Sequence, residues 1–460
     1  MSVSTFNGPG VDGVLKRVEE SLSDGLVPVE IFNDDEVFGV EMDSIFGTCW
    51  VFVAHESEIP KAGDFVQRRI GLDPVIVTRD GKGGVNVMSN FCRHRGAQVC
   101  QTDAGNSRFF KCPYHGWTYN NEGDLVGTPH MNDAYGERLD PKHWGLKRVP
   151  RIEIRSGFIF ASLAQEGPSL EEFLGGAGWM LDLMVGLHPD SMRVAGPPER
   201  YKVKANWKTA AENFAGDAYH VDTLHWSNEE VSMVQGLQGN CETAHLYDFG
   251  NGHGNIAHPW PEIIHPGYVL WGYPPEVTRH FDLSGLDEAQ LQVVNNEPPT
   301  TGTIFPNFSY LRVNSPTIPN GPMSVVTTFR QWQPIGPGEM EIWNWQFVWN
   351  FMTEDQALES ATAGQFVFGS AGTFEQDDTV AWEGAPQAAK SPWMRREGMA
   401  FNYQQSQRSP VDTSPDPSYR GPGLKRNTGF GEDNQLSFYR TWLQTMRHGA
   451  QTADGNGNAS

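Results

Sequence analysis

Four residues in FCRHRGAQVCQTDAGNSRFFKCPYHGWTY (91–119) have the types and spacing of metal ligands. Cys92 and His94 form Cys-x-His, and Cys112 and His115 form Cys-x-x-His. Each pair makes a tight loop that aims a thiolate and an imidazole the same way, and residues 95–111 let the second loop return to face the first. The competing readings are four unrelated packed residues, or a structural zinc. Zinc fingers, however, usually pair Cys with Cys and His with His. One of each per loop suits a [2Fe–2S] cluster with two thiolates on one iron and two imidazoles on the other, and neutral imidazoles raise its potential. Cys100, between the loops, is expected to pack as a small hydrophobe.

Such a cluster only carries electrons, so a second site has to use them. In NFAGDAYHVDTLH (213–225), Asn213, Asp217 and His220 are spaced by four and three, which puts them on one helix face. His225 follows His220 by five and on a straight helix would turn away by roughly 140°. A shared metal therefore requires the helix to unwind or kink just before 225. Two histidines and one carboxylate make the facial triad of non-haem Fe(II) oxygenases, with positions left open for O2. The carboxylate should come from FGSAGTFEQDD (368–378), where Asp378 is preferred over Asp377. Ordinary packing of the histidines and a solvated helix end at the aspartates are the bland alternatives.

The elements that must position these residues fall into two groups. Short β-type runs separated by Gly, Pro, Asp and Asn fill 46–163: CWVFVAH (49–55), DFVQRRI (64–70), PVIVTRD (74–80), GVNVMSN (84–90) and GFIFASL (157–163). Residues 16–35 read as a helix and loop, and 168–184 and 205–225 as helical. SVVTTFRQWQPIGPGEMEIWNWQFVWN (324–350) reads as a hairpin around IGPG, and 353–383 as a helical region with glycine breaks. The fold class predicted is α+β: an N-terminal helical segment (1–45) on the catalytic domain, an all-β domain (46–163), a catalytic domain (164–450) with an antiparallel sheet among helices, and a disordered tail (451–460). The net charge of −22 argues against nucleic acid or an anionic membrane as main partner. No apolar run reaches the roughly 18–20 residues of a membrane span, and MSVSTFNGPG has no signal-peptide pattern. Five cysteines make no disulfide framework, which fits a reducing cytoplasm.

CRHRG and CPYHGW, with C-x-H-x17-C-x2-H, resemble the Rieske domain of aromatic-ring-hydroxylating oxygenases. NFAGDAYHVDTLH and FGSAGTFEQDD look like the catalytic segments of the large (α) subunit of Rieske dioxygenases of the naphthalene and phenanthrene group. HESEIPKAGDFV (55–66), DAYG (133–136) and GFGEDNQLSFYRTW (429–442) are similar too, so the resemblance covers roughly 40 to 445. HVDTLHW is less typical of the naphthalene group and slightly resembles benzoate-type enzymes. The resemblance implies a helix-grip, START-like catalytic domain and a Rieske [2Fe–2S] cluster. Cys92 and Cys112 would hold the outer iron, and His94 and His115 the inner one. It implies a mononuclear Fe(II) on His220, His225 and Asp378. Asp217 would link a neighbouring subunit's cluster histidine (the position of His115) to His220. Asn213, Phe214, Ala218, Val221, Phe368 and Phe374 sit where relatives line the substrate pocket. A ferredoxin and a reductase would bring electrons from NADH, O2 would be co-substrate, and a small β subunit would complete an α3β3 hexamer, or the chain would form an α3 trimer. The activity implied is cis-dihydroxylation of an aromatic ring, favouring a polycyclic arene. An aromatic acid such as phthalate or benzoate is the alternative, for which a pocket Arg or Lys would be needed, with Arg312 and Arg330 the ones to inspect. A Rieske electron carrier without oxygenase activity is the reading from another class, but it leaves His220, His225 and Asp378 unexplained.

Overall fold

The computed structural model describes residues 10–232, 239–259, 270–316, 318, 321 and 323–455. The chain divides into two compact units, 46–170 and 1–45 with 171–460. Residues 164–170 belong with the first unit rather than the second. The Trp50 indole donates to the Pro168 carbonyl at 3.0 Å, and the Leu170 amide to Glu153 at 3.3 Å.

The first unit consists of three small antiparallel sheets. Asp64–Ile70 pairs with Asp73–Arg79, which pairs with Val85–Ser89, placing Ile76 opposite Gln67 and Met88. The β-branched run Val75-Ile76-Val77 is wholly buried and cannot be an exposed loop. Phe109–Lys111, Thr118–Asn120 and Leu125–Gly127 form the second sheet, and Val51–His55, Phe158–Ser162 and Arg151–Arg155 the third. Phe65, Ile76, Met88, Trp117 and Tyr119 join Cys92, Cys100 and Cys112 in one core. Cys100 packs there as its type suggests.

A nine-stranded antiparallel sheet is the floor of the second unit. Its longest pair, Met323–Gly336 and Glu339–Trp349, is the hairpin read from the sequence, with Trp332 opposite Ile342. Trp207–Gly216 packs on this floor, where the Thr303 hydroxyl donates to the Ala211 carbonyl at 2.6 Å. The helical region after 353 splits into Glu354–Phe368 and Thr373–Trp382, and that after 168 into Leu170–Leu174 and Gly176–Val185. The N-terminal segment holds more than a helix and loop. After the helix Val11–Leu22, Leu26–Pro28 pairs with Ala400–Asn402, a contact set by a partner far away in the chain. The last helix, Asp433–Gly455, runs five residues into the stretch read as a disordered tail, and 456–460 lie outside the described residues. No helix among the described residues is long and apolar enough to cross a membrane.

Candidate metal centres

In the β unit the two Cys–His loops are the same turn made twice. The Gly96 amide donates to the Cys92 carbonyl at 2.8 Å, and the Gly116 amide to the Cys112 carbonyl at 3.0 Å. Both glycines have left-handed φ, +72° and +76°, and a Cβ on Gly116 would also come within 2.8 Å of Pro129. The repeated turn sets the thiols of Cys92 and Cys112 against each other and the rings of His94 and His115 4.5 Å apart. The His94 ring stacks on Trp117 at 5.1 Å. The Tyr119 hydroxyl accepts from the Arg93 amide at 3.1 Å, which leaves its proton for the Cys92 sulfur at 3.3 Å. Burial pushes the Cys92 thiol up, and Tyr119 pulls it only partly back. A thiolate there needs a cation beside it. Nδ1 of His94 is buried with no hydrogen-bond partner among the described residues, an open valence that a metal would fill. The four residues fit a Rieske cluster.

In the second unit the helix Trp207–Gly216 starts at Asn206, whose side chain accepts from the Lys208 amide at 2.9 Å. It stops because Asn434 donates to the Ala215 carbonyl at 2.8 Å, an approach that leaves no room for a Cβ on Gly216. Asp217 then leaves helical geometry, and a short helix, Val221–Leu224, separates His220 from His225. The break thus spans 217–220, earlier than the kink before 225 that spacing suggested. The capping residue comes from the far end of the chain. Asn213, Asp217 and His220 still meet: Asn213 Nδ2 donates to Asp217 Oδ2 at 3.1 Å and lies 3.4 Å from His220 Nδ1.

Ligand atoms of His220, His225 and Asp378 all lie within 4.8 Å of one another. Nε2 of His220 and of His225 are 3.6 and 3.3 Å from Asp378 Oδ1. Nδ1 of His220 donates to the Asp217 carbonyl at 2.6 Å, and Nδ1 of His225 faces Asp377 Oδ2 at 3.4 Å. Both partners can only accept, so each Nδ1 carries a proton and each Nε2 is the atom free to ligate. Asp378 is buried, and its Oδ1 has no hydrogen-bond donor among the described residues. A carboxylate oxygen so placed needs a cation, and the set fits a divalent metal of the two-histidine, one-carboxylate type. Burial pushes the Asp217 carboxyl up, but His220 and Asn213 outweigh it and hold it below the usual range. A cavity of about 190 Å³ adjoins this end of the triad, with Glu212, Asn213, Asp217, His220, Trp382 and Tyr403 among its lining residues.

The residues placed in a pocket by resemblance divide. Phe374 packs on His225 with centroids 4.7 Å apart, and Phe368 on Phe374 at 5.3 Å. Phe214 meets Trp332 at 5.0 Å, and Asn213 lines the cavity. Ala218 packs with Ala244, Leu246 and Ile256 in a small core cluster, and Val221 is half-buried on the short helix. Residues that sequence reasoning missed include Asn228, Glu375 and Trp332. Arg330 donates to Glu375 at 2.6 Å and to the Phe368 carbonyl at 3.0 Å, with its guanidinium over the rings of Phe214 and Phe368. Glu375, three before Asp378, was the available signal, since an acid at that spacing shares the helix face.

Residues 49–150 match the Rieske [2Fe-2S] domain family, and residues 189–447 the ring hydroxylating alpha subunit (catalytic domain). The chain is 48% identical to the N,N-dimethyl phenylurea N-demethylase subunit alpha of Sphingobium sp. (strain YBL2), over 95% of both chains. It is 34% identical to the large oxygenase component of the naphthalene 1,2-dioxygenase system of Pseudomonas aeruginosa, over 90% of this chain and 89% of that one. The crystal structure of naphthalene 1,2-dioxygenase from Rhodococcus sp. bound to indole superposes with a TM-score of 0.88 at 35% identity, covering 94% of this chain and 97% of that one. Paired Cys–His loops, a buried two-histidine and aspartate triad, and these matches over nearly the whole length agree: the chain belongs to the Rieske non-haem iron ring-hydroxylating oxygenases, as an α subunit carrying a [2Fe–2S] domain and a catalytic iron domain.

Proposed function

We propose that this chain is the large subunit of a multicomponent terminal oxygenase that oxidises a neutral aromatic molecule. Cys92 and Cys112 hold one cluster iron, His94 and His115 the other, and His220, His225 and Asp378 the mononuclear Fe(II). When bound, the cluster supplies single electrons and the ferrous ion supplies O2 activation. The chain's own residues do the rest. The protons on Nδ1 of His220 and His225 keep both Nε2 atoms available, and Phe374 braces the His225 ring. Asp217, with 30% of its side chain exposed, remains reachable by a cluster histidine of a neighbouring subunit while it holds His220. That exposure supports an α3 or α3β3 assembly, acting in the cytoplasm and fed from NADH through a reductase and a ferredoxin. Asp217→Ala should leave both metals bound and nearly abolish coupled turnover.

The observation that carries the substrate class is the condition of two buried arginines. Arg330 is committed to Glu375. Arg312 lies three residues from Ser309, which bonds Trp332 and Thr303 on the helix-bearing face of the sheet, so strand alternation sends Arg312 to the opposite face. There it donates to the Trp271 carbonyl. Neither arginine offers a cation to an aromatic carboxylate, which supports a neutral substrate over phthalate or benzoate.

Within that class, the 48% identity over 95% of both chains favours N-demethylation of an N,N-dimethyl aryl urea. One oxygen atom enters an N-methyl group, which leaves as formaldehyde. The other becomes water, with two electrons and two protons consumed. Ring cis-dihydroxylation of a polycyclic arene, which takes up both oxygen atoms, is the second reading and is supported by the naphthalene dioxygenase relatives. Purified protein with a ferredoxin, a reductase and NADH should be offered an N,N-dimethyl phenylurea, naphthalene, phenanthrene, benzoate and phthalate. Formaldehyde release or a cis-dihydrodiol from a neutral compound supports the proposal. Turnover of the acids alone overturns it.

A further inference from the structure

Two adjacent aspartates on the helix Thr373–Trp382 meet the same imidazole from different sides. Consecutive helical residues point about 100° apart, so Asp377 and Asp378 cannot present their carboxylates in the same direction. Asp378 approaches His225 at Nε2, 3.3 Å away, and Asp377 approaches it at Nδ1, 3.4 Å away. Asp377 is itself held. Asn228, buried one helical turn after His225, donates from Nδ2 to Asp377 Oδ2 at 3.2 Å and reaches the Thr373 carbonyl at 3.5 Å. The Asn228 amide in turn donates to the His225 carbonyl at 3.0 Å. The ring of His225 is thus enclosed by Asp377, Asp378 and Phe374. The contrast with His220 is informative. Its Nδ1 has the Asp217 backbone carbonyl at 2.6 Å, which no substitution removes, besides Asp217 Oδ2 at 3.4 Å, whereas the partner described at Nδ1 of His225 is the Asp377 carboxylate at 3.4 Å.

We propose that Asp377 and Asn228 form a positioning pair that fixes the proton of His225 on Nδ1 and the angle at which Nε2 meets the metal, so that Asp377 serves the site without ligating it. The inference rests on the ligand set given under Proposed function. An acceptor behind a ligating imidazole orients it and raises its basicity, and losing such a partner costs about 10–100-fold in metal affinity or activity.

The test uses the full-length protein with its cluster oxidised and its mononuclear metal removed by chelation. Fe(II) is returned in competition with a chromophoric chelator, and the EPR spectrum of the nitric oxide adduct is recorded. Asp377→Ala and Asn228→Ala should each weaken Fe(II) binding about 10–100-fold and broaden the EPR signal, with the cluster absorbance unchanged. Asp377→Asn, which keeps an acceptor oxygen, should recover most of the loss. His225→Ala and Asp378→Ala are the reference variants. If they lose Fe(II) while Asp377→Ala and Asn228→Ala bind it like the parent with an identical EPR spectrum, the positioning role is wrong and the ligand set stands. If His225→Ala and Asp378→Ala bind like the parent, the ligand set itself is wrong. Should Asp377→Ala fail to fold, Asn228→Ala and Asp377→Asn carry the same comparison.

Discussion

His220 is where a metal and a proton compete for one nitrogen. Burial alone would lower its pKa, but Asp217 and Asp378 overcome it and hold the imidazole up to about 9. At pH 7 the metal-free site is therefore protonated, and a metal must displace that proton. Fe(II) affinity should rise about tenfold per pH unit from 7 toward 9 and flatten above it. Fe(II) titrations across that range, in buffers of different ionisation enthalpy, read both the slope and the proton release. A flat affinity would remove His220 from the ligand set. At this scale the sequence was legible where partners are close. The C-x-H and C-x2-H loops close within five residues each, so spacing alone predicts convergence. The pair Asp377-Asp378 was visible as a carboxylate source, but which oxygen faces which nitrogen depends on a histidine about 150 residues away in the chain. Arg330 carries no local mark either. Its role exists only because Glu375, 45 residues on, comes to meet it.

Elements were legible when their own periodicity decided them. Asp64–Ile70 coincides with the run read as a strand, because its apolar side chains must find a core. The helix before Asp217 was read too long because its stop signal, Asn434, sits on the last helix. Similar remote ties hold other elements. Glu297 caps the end of the helix Glu288–Asn296 and binds two strands: the Tyr247 hydroxyl donates to it at 2.5 Å and Lys425 at 2.6 Å, with His245 at 3.0 Å. Burial alone would raise its pKa, but His245, Lys425 and Tyr247 hold it down to about 2 from 4.5. The sign follows: Glu297 contributes stability that is fully present above pH 4.5 and is lost as pH falls toward 2. A depression of that size corresponds to about 3 kcal/mol at neutral pH. Glu297→Gln should lower the urea midpoint at pH 7 by a clear margin, and the gap to the parent should close as pH falls below 4.5. A gap that persists unchanged at low pH would show that the charge is not what holds these strands.

At the scale of the molecule, residues 1–45 and 171–460 form one unit although the whole β unit lies between them in sequence. Glu41 is central to that union. Fully buried, it accepts from Lys208 at 2.5 Å, from the Trp207 indole at 3.0 Å and from the Trp442 indole at 2.8 Å. One carboxylate thus joins the N-terminal segment, the start of the helix Trp207–Gly216 and the C-terminal helix. Burial pulls the Lys208 ammonium below its usual range even though Glu41 favours the charge, so the pair survives only as a pair. Against two well-packed apolar side chains such a pair contributes little, but removing one member strands the other charge and costs about 3–5 kcal/mol. Lys208→Met should destabilise the catalytic unit by about that amount, and Glu41→Gln with Lys208→Met together by much less than the sum of the single changes. Urea unfolding followed by tryptophan fluorescence measures the cycle, while visible absorbance of the cluster follows the β unit separately. Additive single effects would mean that Glu41 and Lys208 act independently. The N-terminal segment would then be held by its apolar contacts, Val14, Leu15 and Val18 on its first helix, and the start of the helix Trp207–Gly216 would owe nothing to it.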